Sequence, residues 1–316
     1  MVEQYMPGSE WLYLKFYVSR SFADKILIHE LYSTLKQLKR KGYLSGFFFI
    51  RYTDPYYHLR LRIRLTGTDH YSPVLSAIHE KLQKYTESGL VWKIQLDTYY
   101  REIERYNIHL METTESLFQV DSRYTIEMLQ LIARYGNEDH KWKIGLKSID
   151  AYLHLFDSGV ADRMALIKSM SDAFRQEYCF NPKNMRVLND FYRNKRKIVE
   201  NILQGTYEDP LMQQLFILLK KRDKQLSGIV RTIKALCSKH GLDHKDYAGS
   251  YIHMHINRLI PASNRLHELL LYDYVRRFYE GTLARDIHAS RSASPVLVPA
   301  AFPTGEAAGA EQRYKE

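Results

Sequence analysis

The chain has 316 residues, of which 45% are hydrophobic, and this is enough to bury a substantial core. No apolar run approaches the roughly 20 residues that a membrane-spanning helix needs, and the N-terminus lacks the pattern of a secretory signal. These absences predict a cytoplasmic protein without membrane insertion. The formal net charge of +10 suits nucleic acid, an acidic peptide or a carboxylate-bearing substrate, although an ordinary solvated basic surface fits as well.

The first hundred or so residues alternate between strand and helix patterns. Aromatic and β-branched residues dominate the strand segments, whereas the first helix has Ser21 as its N-cap and Gly42 as its stop. In chain order the predicted elements are strand 10–18, helix 21–41, strand 44–52, turn 53–56, strand 57–66, helix 72–87 and strand 91–100. We therefore expect residues 1–106 to form an α+β part built on a mixed β-sheet.

The rest of the chain has an almost wholly helical pattern. The predicted helices span 109–118, 122–135, 143–156, 160–178, 185–204, 210–239, 246–259 and 262–284. Residues 107–288 would then complete a single α+β domain over 1–288, largely helical in its C-terminal part. Residues 289–316 are rich in Ala, Ser, Pro and Gly, so we expect a flexible tail that is dispensable for activity.

The segment HLRLRIRL, residues 58–65, alternates strictly between basic and apolar side chains. Neighbouring side chains of a strand point to opposite faces, so one face carries the basic residues His58, Arg60, Arg62 and Arg64. The other face should pack on the core and carries Leu59, Leu61, Ile63 and Leu65. The planar fork of arginine suits a carboxylate. The row of guanidinium groups therefore indicates either an anion site or an exposed basic sheet face.

Two further segments hold residues that could act with these arginines. In YYREIERY, Glu102 and Arg105 are three apart on a helical turn, and they form either a local ion pair or part of the anion site.

In SYIHMHINRLI, His253 and Asn257 share one helical face, as do Met254 and Arg258. Histidine is well suited to move a proton near neutral pH, although a histidine buried in a helical bundle is the alternative. His255 points away from His253, which weakens a metal interpretation. The sequence also lacks a phosphate loop, a nucleophile elbow and a cysteine pair at zinc spacing, so it predicts neither a metal nor a cofactor.

Together these segments resemble one family. The stretches WLYLKFYV, FFIRYTDPYYHLRLRIR, YREIERY and HMHINRL are similar to the C-terminal elimination domain of class I lantibiotic dehydratases. That domain also occurs alone, in split dehydratases and as thiopeptide-type bacteriocin biosynthesis proteins. The resemblance covers about residues 10–285, and the large glutamylation domain of the full-length enzymes is absent from this sequence.

The resemblance implies a lyase that acts on a ribosomally made precursor peptide. A separate tRNA-dependent protein would glutamylate Ser or Thr, and this chain would eliminate glutamate to leave dehydroalanine or dehydrobutyrine, without a metal or cofactor. A cyclase is a further candidate partner. By motif, the catalytic residues would be Arg60, Arg62, Arg105 and His253. The substrate-binding residues would be His58, Arg64, Glu102, His255, Asn257 and Arg258. In the family this arginine commonly begins the sequence R-Y-G-G, whereas in this chain Arg105 and Tyr106 are followed by Asn107 and Ile108 in place of the glycines.

Other functions stay open at the level of the sequence. Thiopeptide pyridine synthases, which join two dehydroalanines in a formal cycloaddition, resemble the same domain. A non-catalytic homologue that binds a leader peptide or a partner protein is a second alternative, and an RNA-binding protein is a third. The sequence names neither the precursor peptide nor the oligomeric state.

Overall fold

The computed structural model describes residues 2–157 and 159–293, and it describes side chains as far as residue 285. The N-terminal part contains two sheets and the helices that connect their strands. Its elements are β1 (Gln4–Tyr5), β2 (Trp11–Val18), α1 (Arg20–Lys25), a π-helical segment (Ile26–Leu31), α2 (Tyr32–Arg40), β3 (Leu44–Thr53), β4 (Tyr57–Leu65), a 3-10 turn (Thr68–His70), α3 (Tyr71–Glu87), β5 (Val91–Leu96) and β6 (Tyr99–Tyr100). The predicted strand 91–100 is thus two strands, because β6 leaves the main sheet to pair with β1.

The main sheet has the strand order β3-β4-β2-β5, and its neighbouring strands pair antiparallel. The predicted α+β class is confirmed, but the sheet is antiparallel rather than mixed. The reason is the hairpin from β3 to β4, which inserts β4 between β2 and β3. The strands β2 and β3 run in the same direction without pairing, as in a β-α-β-β-α-β unit.

The two faces of β4 have different environments, as the alternating sequence predicts. One face packs against the helices α1 to α3 and buries Leu59, Leu61, Ile63 and Leu65, each at most 4% exposed. The opposite face carries the basic residues of β4 and turns towards the helical part. There the Arg62 guanidinium lies over Tyr13 and Phe48, and the Arg64 guanidinium lies over Trp11.

The helical part follows β6. It consists of α4 (Ile103–Tyr106), α5 (Met111–Tyr135), α6 (His140–Phe156), α7 (Val160–Glu177), α8 (Pro182–Gln204), α9 (Pro210–His240), α10 (Lys245–Leu259) and α11 (Asn264–Ala293). The last helix extends past residue 289, where the sequence predicts a tail to begin; residues 294–316 lie outside the described part. Within the described residues, no helix combines the length and apolar character that crossing a membrane requires.

The helix α5 is continuous where the sequence predicts two helices, 109–118 and 122–135. Asp121 and Ser122 lie at the predicted break between residues 118 and 122. Both side chains instead make tertiary contacts. The Phe49 amide of β3 donates a 3.2 Å hydrogen bond to the Ser122 hydroxyl. The Asp121 carboxylate lies fully buried between three cationic or polar side chains.

Asp121 joins the helical part to the sheet. One carboxylate oxygen lies 2.8 Å from Nδ1 of His255 and 3.3 Å from Nη1 of Arg222. The other accepts a 3.1 Å hydrogen bond from Nη1 of Arg258, whose Nε donates to the carbonyl oxygen of Phe49 at 2.9 Å. Although burial alone would raise it, the pKa of Asp121 is held well below its usual range by His255 and the two arginines. The carboxylate is therefore charged and holds α5, α9 and α10 against β3.

We predict that Asp121→Asn destabilises the protein severely. It would leave Arg222 and Arg258 buried without their shared counter-charge, and breaking a buried pair in this way typically costs about 3–5 kcal/mol. Urea denaturation measures this loss. The matched control is Asp190→Asn, which removes an exposed ion pair with Arg193 and should change the unfolding free energy by at most about 1 kcal/mol. Equal, small effects of both substitutions would contradict the central role of Asp121.

Candidate active site

An open cavity of about 910 Å³ lies between the basic face of the sheet and the helices α10 and α11. Lysine and arginine supply seven of its lining side chains, whereas aspartate and glutamate supply two. The charged, histidine and amide side chains of the lining are Lys15, Arg20, Arg51, Arg60, Arg62, Asp97, Glu102, Arg105, His253, Asn257, Asn264 and Arg265. Such an excess of one charge in a concave site attracts anionic ligands.

Arg62 projects from β4 into an aromatic cage. Its guanidinium carbon lies 4.7 Å from the ring centre of Tyr13, 4.9 Å from that of Tyr99 and 5.3 Å from that of Phe48. The residue is only 5% exposed, and its Nε has no hydrogen-bond partner. No ion pair compensates its charge in the part of the chain that the structure describes. Since a buried charge without a partner is costly, the cavity is suited to a ligand that brings a negative charge to Arg62.

Arg60 is held in place by His58 and Tyr52. Its guanidinium carbon lies 3.5 Å from the ring centre of Tyr52, and its Nε donates a 3.1 Å hydrogen bond to Nε2 of His58. Nδ1 of His58 lies 2.8 Å from the carbonyl oxygen of Tyr56, so we assign the proton of the neutral ring to Nδ1. Burial lowers the pKa of His58, which favours this neutral form. His58 thus orients Arg60 from beneath the cavity.

Each of the two acidic residues of the cavity lies beside a cation. The carboxylate of Glu102 lies 3.6 Å from Nη1 of Arg105, whose Nε donates to the Ser250 hydroxyl at 3.3 Å. Asp97 forms an ion pair with Lys15. Although partial burial opposes it, hydrogen bonds from Lys15 and from a backbone amide lower the pKa of Asp97. The cavity therefore offers negative groups for an ammonium beside its excess of guanidinium groups.

His253 reaches the cavity from α10, and its ring is about a quarter exposed. Nδ1 lies 2.5 Å from a carboxylate oxygen of Glu268 on α11. Asn257, one helical turn later, lines the same cavity, but its amide group is already occupied. It accepts a 2.9 Å hydrogen bond from the Arg51 amide and donates one of 2.9 Å to the Arg51 carbonyl oxygen. Asn257 therefore fastens α10 to β3.

The structure brings six of the ten predicted site residues to this one cavity: Arg60, Arg62, Glu102, Arg105, His253 and Asn257. The other four lie outside its lining. His58 is buried beneath Arg60, and Arg64 lies over Trp11. His255 and Arg258 are fully buried with Asp121. In this arrangement none of the four lines the cavity: Arg64 packs on an aromatic ring, and His58, His255 and Arg258 make hydrogen bonds within the protein.

The sequence interpretation missed several residues of the cavity. Lys15 and Tyr13 alternate along β2 in register with Arg60 and Arg62, so the same period of two in WLYLKFYV would have indicated them. Arg265 and Asp97 lie in segments without a local pattern. Their position depends on how distant elements pack. No cluster of three or more metal-ligating side chains is found among the described residues.

Known proteins with similar sequences identify the family of this chain. The family described as lantibiotic biosynthesis dehydratase, C-terminal, matches residues 11–279. The chain belongs to this family. The subtilin biosynthesis protein SpaB of Bacillus subtilis is 28% identical over 273 residues, which are 84% of this chain and 25% of SpaB. The chain thus spans about a quarter of the length of that relative, and the resemblance inferred from the motifs is confirmed.

Two solved structures share the fold of this lantibiotic dehydratase family member. The tRNA-dependent lantibiotic dehydratase MibB from Microbispora sp. 107891 aligns with a TM-score of 0.70 and 24% identity, over 90% of this chain and 29% of MibB. The pyridine synthase TbtD from thiomuracin biosynthesis aligns with a TM-score of 0.64 and 13% identity, over 86% of this chain and 99% of TbtD. At these identities the similarity shows the fold alone.

We predict that the protein loses stability as the pH falls below about 6.5, the ordinary pKa of histidine. Burial lowers the pKa of both His58 and His255 in the folded state. Below about pH 6.5 these histidines are therefore protonated in the unfolded chain but not in the folded protein. As the pH falls, the free energy of unfolding decreases. His58→Gln should flatten this dependence between about pH 7 and pH 5 in urea titrations.

The control for this test is His79→Gln, because His79 is exposed on α3 in the folded protein. That variant should keep the wild-type slope. A wild-type slope in His58→Gln as well would show that the buried ring of His58 does not contribute to the pH dependence.

Proposed function

We propose that this protein removes glutamate from glutamylated Ser or Thr residues of a precursor peptide and leaves dehydroalanine or dehydrobutyrine. The observation that carries the proposal is the buried, uncompensated Arg62, placed with Arg60, Arg105 and His253 in one cavity. Membership of the lantibiotic dehydratase C-terminal family supports a role in peptide dehydration. We propose further that a separate tRNA-dependent protein supplies the glutamyl group, in the cytoplasm, as the family membership suggests.

The charges of the cavity suit a glutamyl ester. A glutamyl group taken from tRNA is esterified through its α-carboxyl carbon, so its side-chain carboxylate and its ammonium group remain free. Arg60, Arg62 and Arg105 can hold the free carboxylate and the carboxylate that develops as the ester oxygen leaves, because charge-assisted hydrogen bonds from arginine are strong. Glu102 and Asp97 can receive the ammonium group. In this scheme the arginines hold both carboxylates of the glutamyl group, so the scheme includes no metal.

The elimination moves one proton and breaks one carbon–oxygen bond. A base takes the proton from Cα of the esterified residue, and the electron pair of that C–H bond forms the Cα=Cβ double bond. The Cβ–O bond then breaks, and its electrons leave with glutamate as a carboxylate. We assign the base to His253, the histidine of the cavity lining, since imidazole accepts protons effectively near neutral pH.

The uncompensated arginines also bear on the alternatives. A pyridine synthase joins two dehydroalanines, and these have no carboxylate leaving group for Arg60 and Arg62 to stabilise. A homologue that only binds a peptide transfers no proton, so binding alone does not explain a histidine that faces the cavity beside guanidinium groups. Both remain distinguishable outcomes of the same experiment.

That experiment adds the purified protein to a peptide carrying a glutamylated serine and follows the peptide mass. The expected product has lost one glutamic acid and contains dehydroalanine. An adduct that stays unchanged, although the peptide binds, would favour the binding role and contradict the proposal. Release of the leader from a peptide that already contains two dehydroalanines would instead indicate pyridine formation.

We predict that Arg62→Gln slows the elimination by roughly 10- to 100-fold, because a lost charge-assisted contact costs on the order of 1.5–3 kcal/mol. Arg64→Gln is the matched control: it removes the same charge from the same face of β4, outside the cavity lining. That variant should eliminate glutamate at nearly the wild-type rate. Equal rates for the two variants would show that general positive charge, rather than the position of Arg62, matters.

A further inference from the structure

A buried carboxylate lies directly behind His253. Glu268 on α11 has no exposed surface, yet one of its oxygens lies 2.5 Å from Nδ1 of His253. Its other contacts are weaker. The Tyr272 hydroxyl is 3.5 Å from the same oxygen, and Nη1 of Arg265 is 3.5 Å from the second oxygen, which has no hydrogen bond. The shortest polar contact of Glu268 is therefore with the histidine that faces the cavity.

We propose that Glu268 is the positioning residue of His253; this inference rests on the proposed elimination. Accepting the Nδ1 proton fixes the ring's orientation and its tautomer, and it leaves the lone pair of Nε2 for the substrate. When Nε2 takes the Cα proton, the imidazolium forms next to a carboxylate in a buried site, where the attraction between them is strong. The arrangement follows the logic of a carboxylate that orients a general base without being protonated itself.

The surroundings of the pair support this role over a merely structural tie between α10 and α11. The α11 helix contains a second fully buried carboxylate, Asp273, and it is surrounded by Arg175, Arg276 and Arg277 at 2.5, 3.3 and 2.6 Å. Asp273 thus has the full complement of cations that a structural carboxylate requires. Glu268 has one arginine at a longer distance.

Other charged or titratable groups also face His253. On α11 these are Glu268, Arg265 and Tyr272, and across the cavity they are Arg105 and Glu102 of the α4 turn, together with Arg60 and Arg62 of β4. Among these groups Glu268 is the carboxylate in contact with the ring. Removing the negative charge of Glu268 should therefore move the acidic limb of the rate profile towards lower pH.

The test compares Glu268→Gln with the wild type in the glutamylated-peptide assay, as kcat and KM over a range of pH. We expect kcat to fall by roughly 10- to 100-fold, a loss within the range that a positioned base contributes, with KM nearly unchanged. The acidic limb should shift to lower pH, and Glu268→Asp, which keeps the charge, should recover part of kcat. The Nδ1 proton of His253 should give a downfield NMR signal that Glu268→Gln moves.

Two control variants separate positioning from stability. Asp273→Asn removes a buried carboxylate of the same helix, so it should lower the melting temperature without shifting the pH profile. Glu280→Gln removes a partly exposed carboxylate paired with Arg276 and should leave both unchanged. If Glu268→Gln keeps the wild-type kcat and pH profile, or loses activity only in step with its melting temperature as Asp273→Asn does, the inference is overturned. If the wild type itself eliminates no glutamate, the proposed function fails first.

Discussion

The orientation of α10 is the constraint on which the candidate site depends, and the buried Asp121 carboxylate sets it. Asp121 binds His255 and Arg258 from one side, while Asn257 pairs with the backbone of Arg51 in β3. Three successive polar residues of the helix are thereby fixed to the core and the sheet. Because side chains two apart on a helix point in different directions, burying His255 leaves His253 facing the cavity. His253, to which we assign proton transfer, is therefore positioned by the contacts of its neighbours on the same helix.

Two buried arginines of the core share a carboxylate partner, whereas Arg62 of the cavity has none among the described residues. Arg222 and Arg258 are completely buried, and both are compensated by Asp121. Arg62 is almost as buried, but aromatic rings surround it in place of a carboxylate. Ring faces offset part of the desolvation, yet they do not neutralise the charge. We propose that a bound anion neutralises this buried charge, with the help of Arg60, which lies two residues away on the same face.

The sequence allowed much of this to be predicted, and its failures have physical reasons. Strict alternation in β4 was enough to divide HLRLRIRL into a core face and a basic face, because burial on one side enforces a period of two. The break predicted between residues 118 and 122 was wrong, because the sequence alone does not show the distant partners that Asp121 meets there inside one continuous helix. Glu268 and Asp97 could not be predicted as site residues, because their partners, His253 and Lys15, lie on other elements, whose packing the sequence alone does not show.

The segment HMHINR shows why a motif cannot assign roles to its own members. Its polar residues are His253, His255, Asn257 and Arg258. Within the described part of the chain, only His253 combines a position in the cavity with a ring nitrogen that has no hydrogen bond. A polar residue of such a segment can serve the fold or the chemistry. What separates the two is whether a polar group is satisfied inside the protein. By that criterion the groups of these two segments that we assign to a ligand are the guanidinium groups of Arg60 and Arg62 and Nε2 of His253, whereas Asn257 and His255 hold the helix in place.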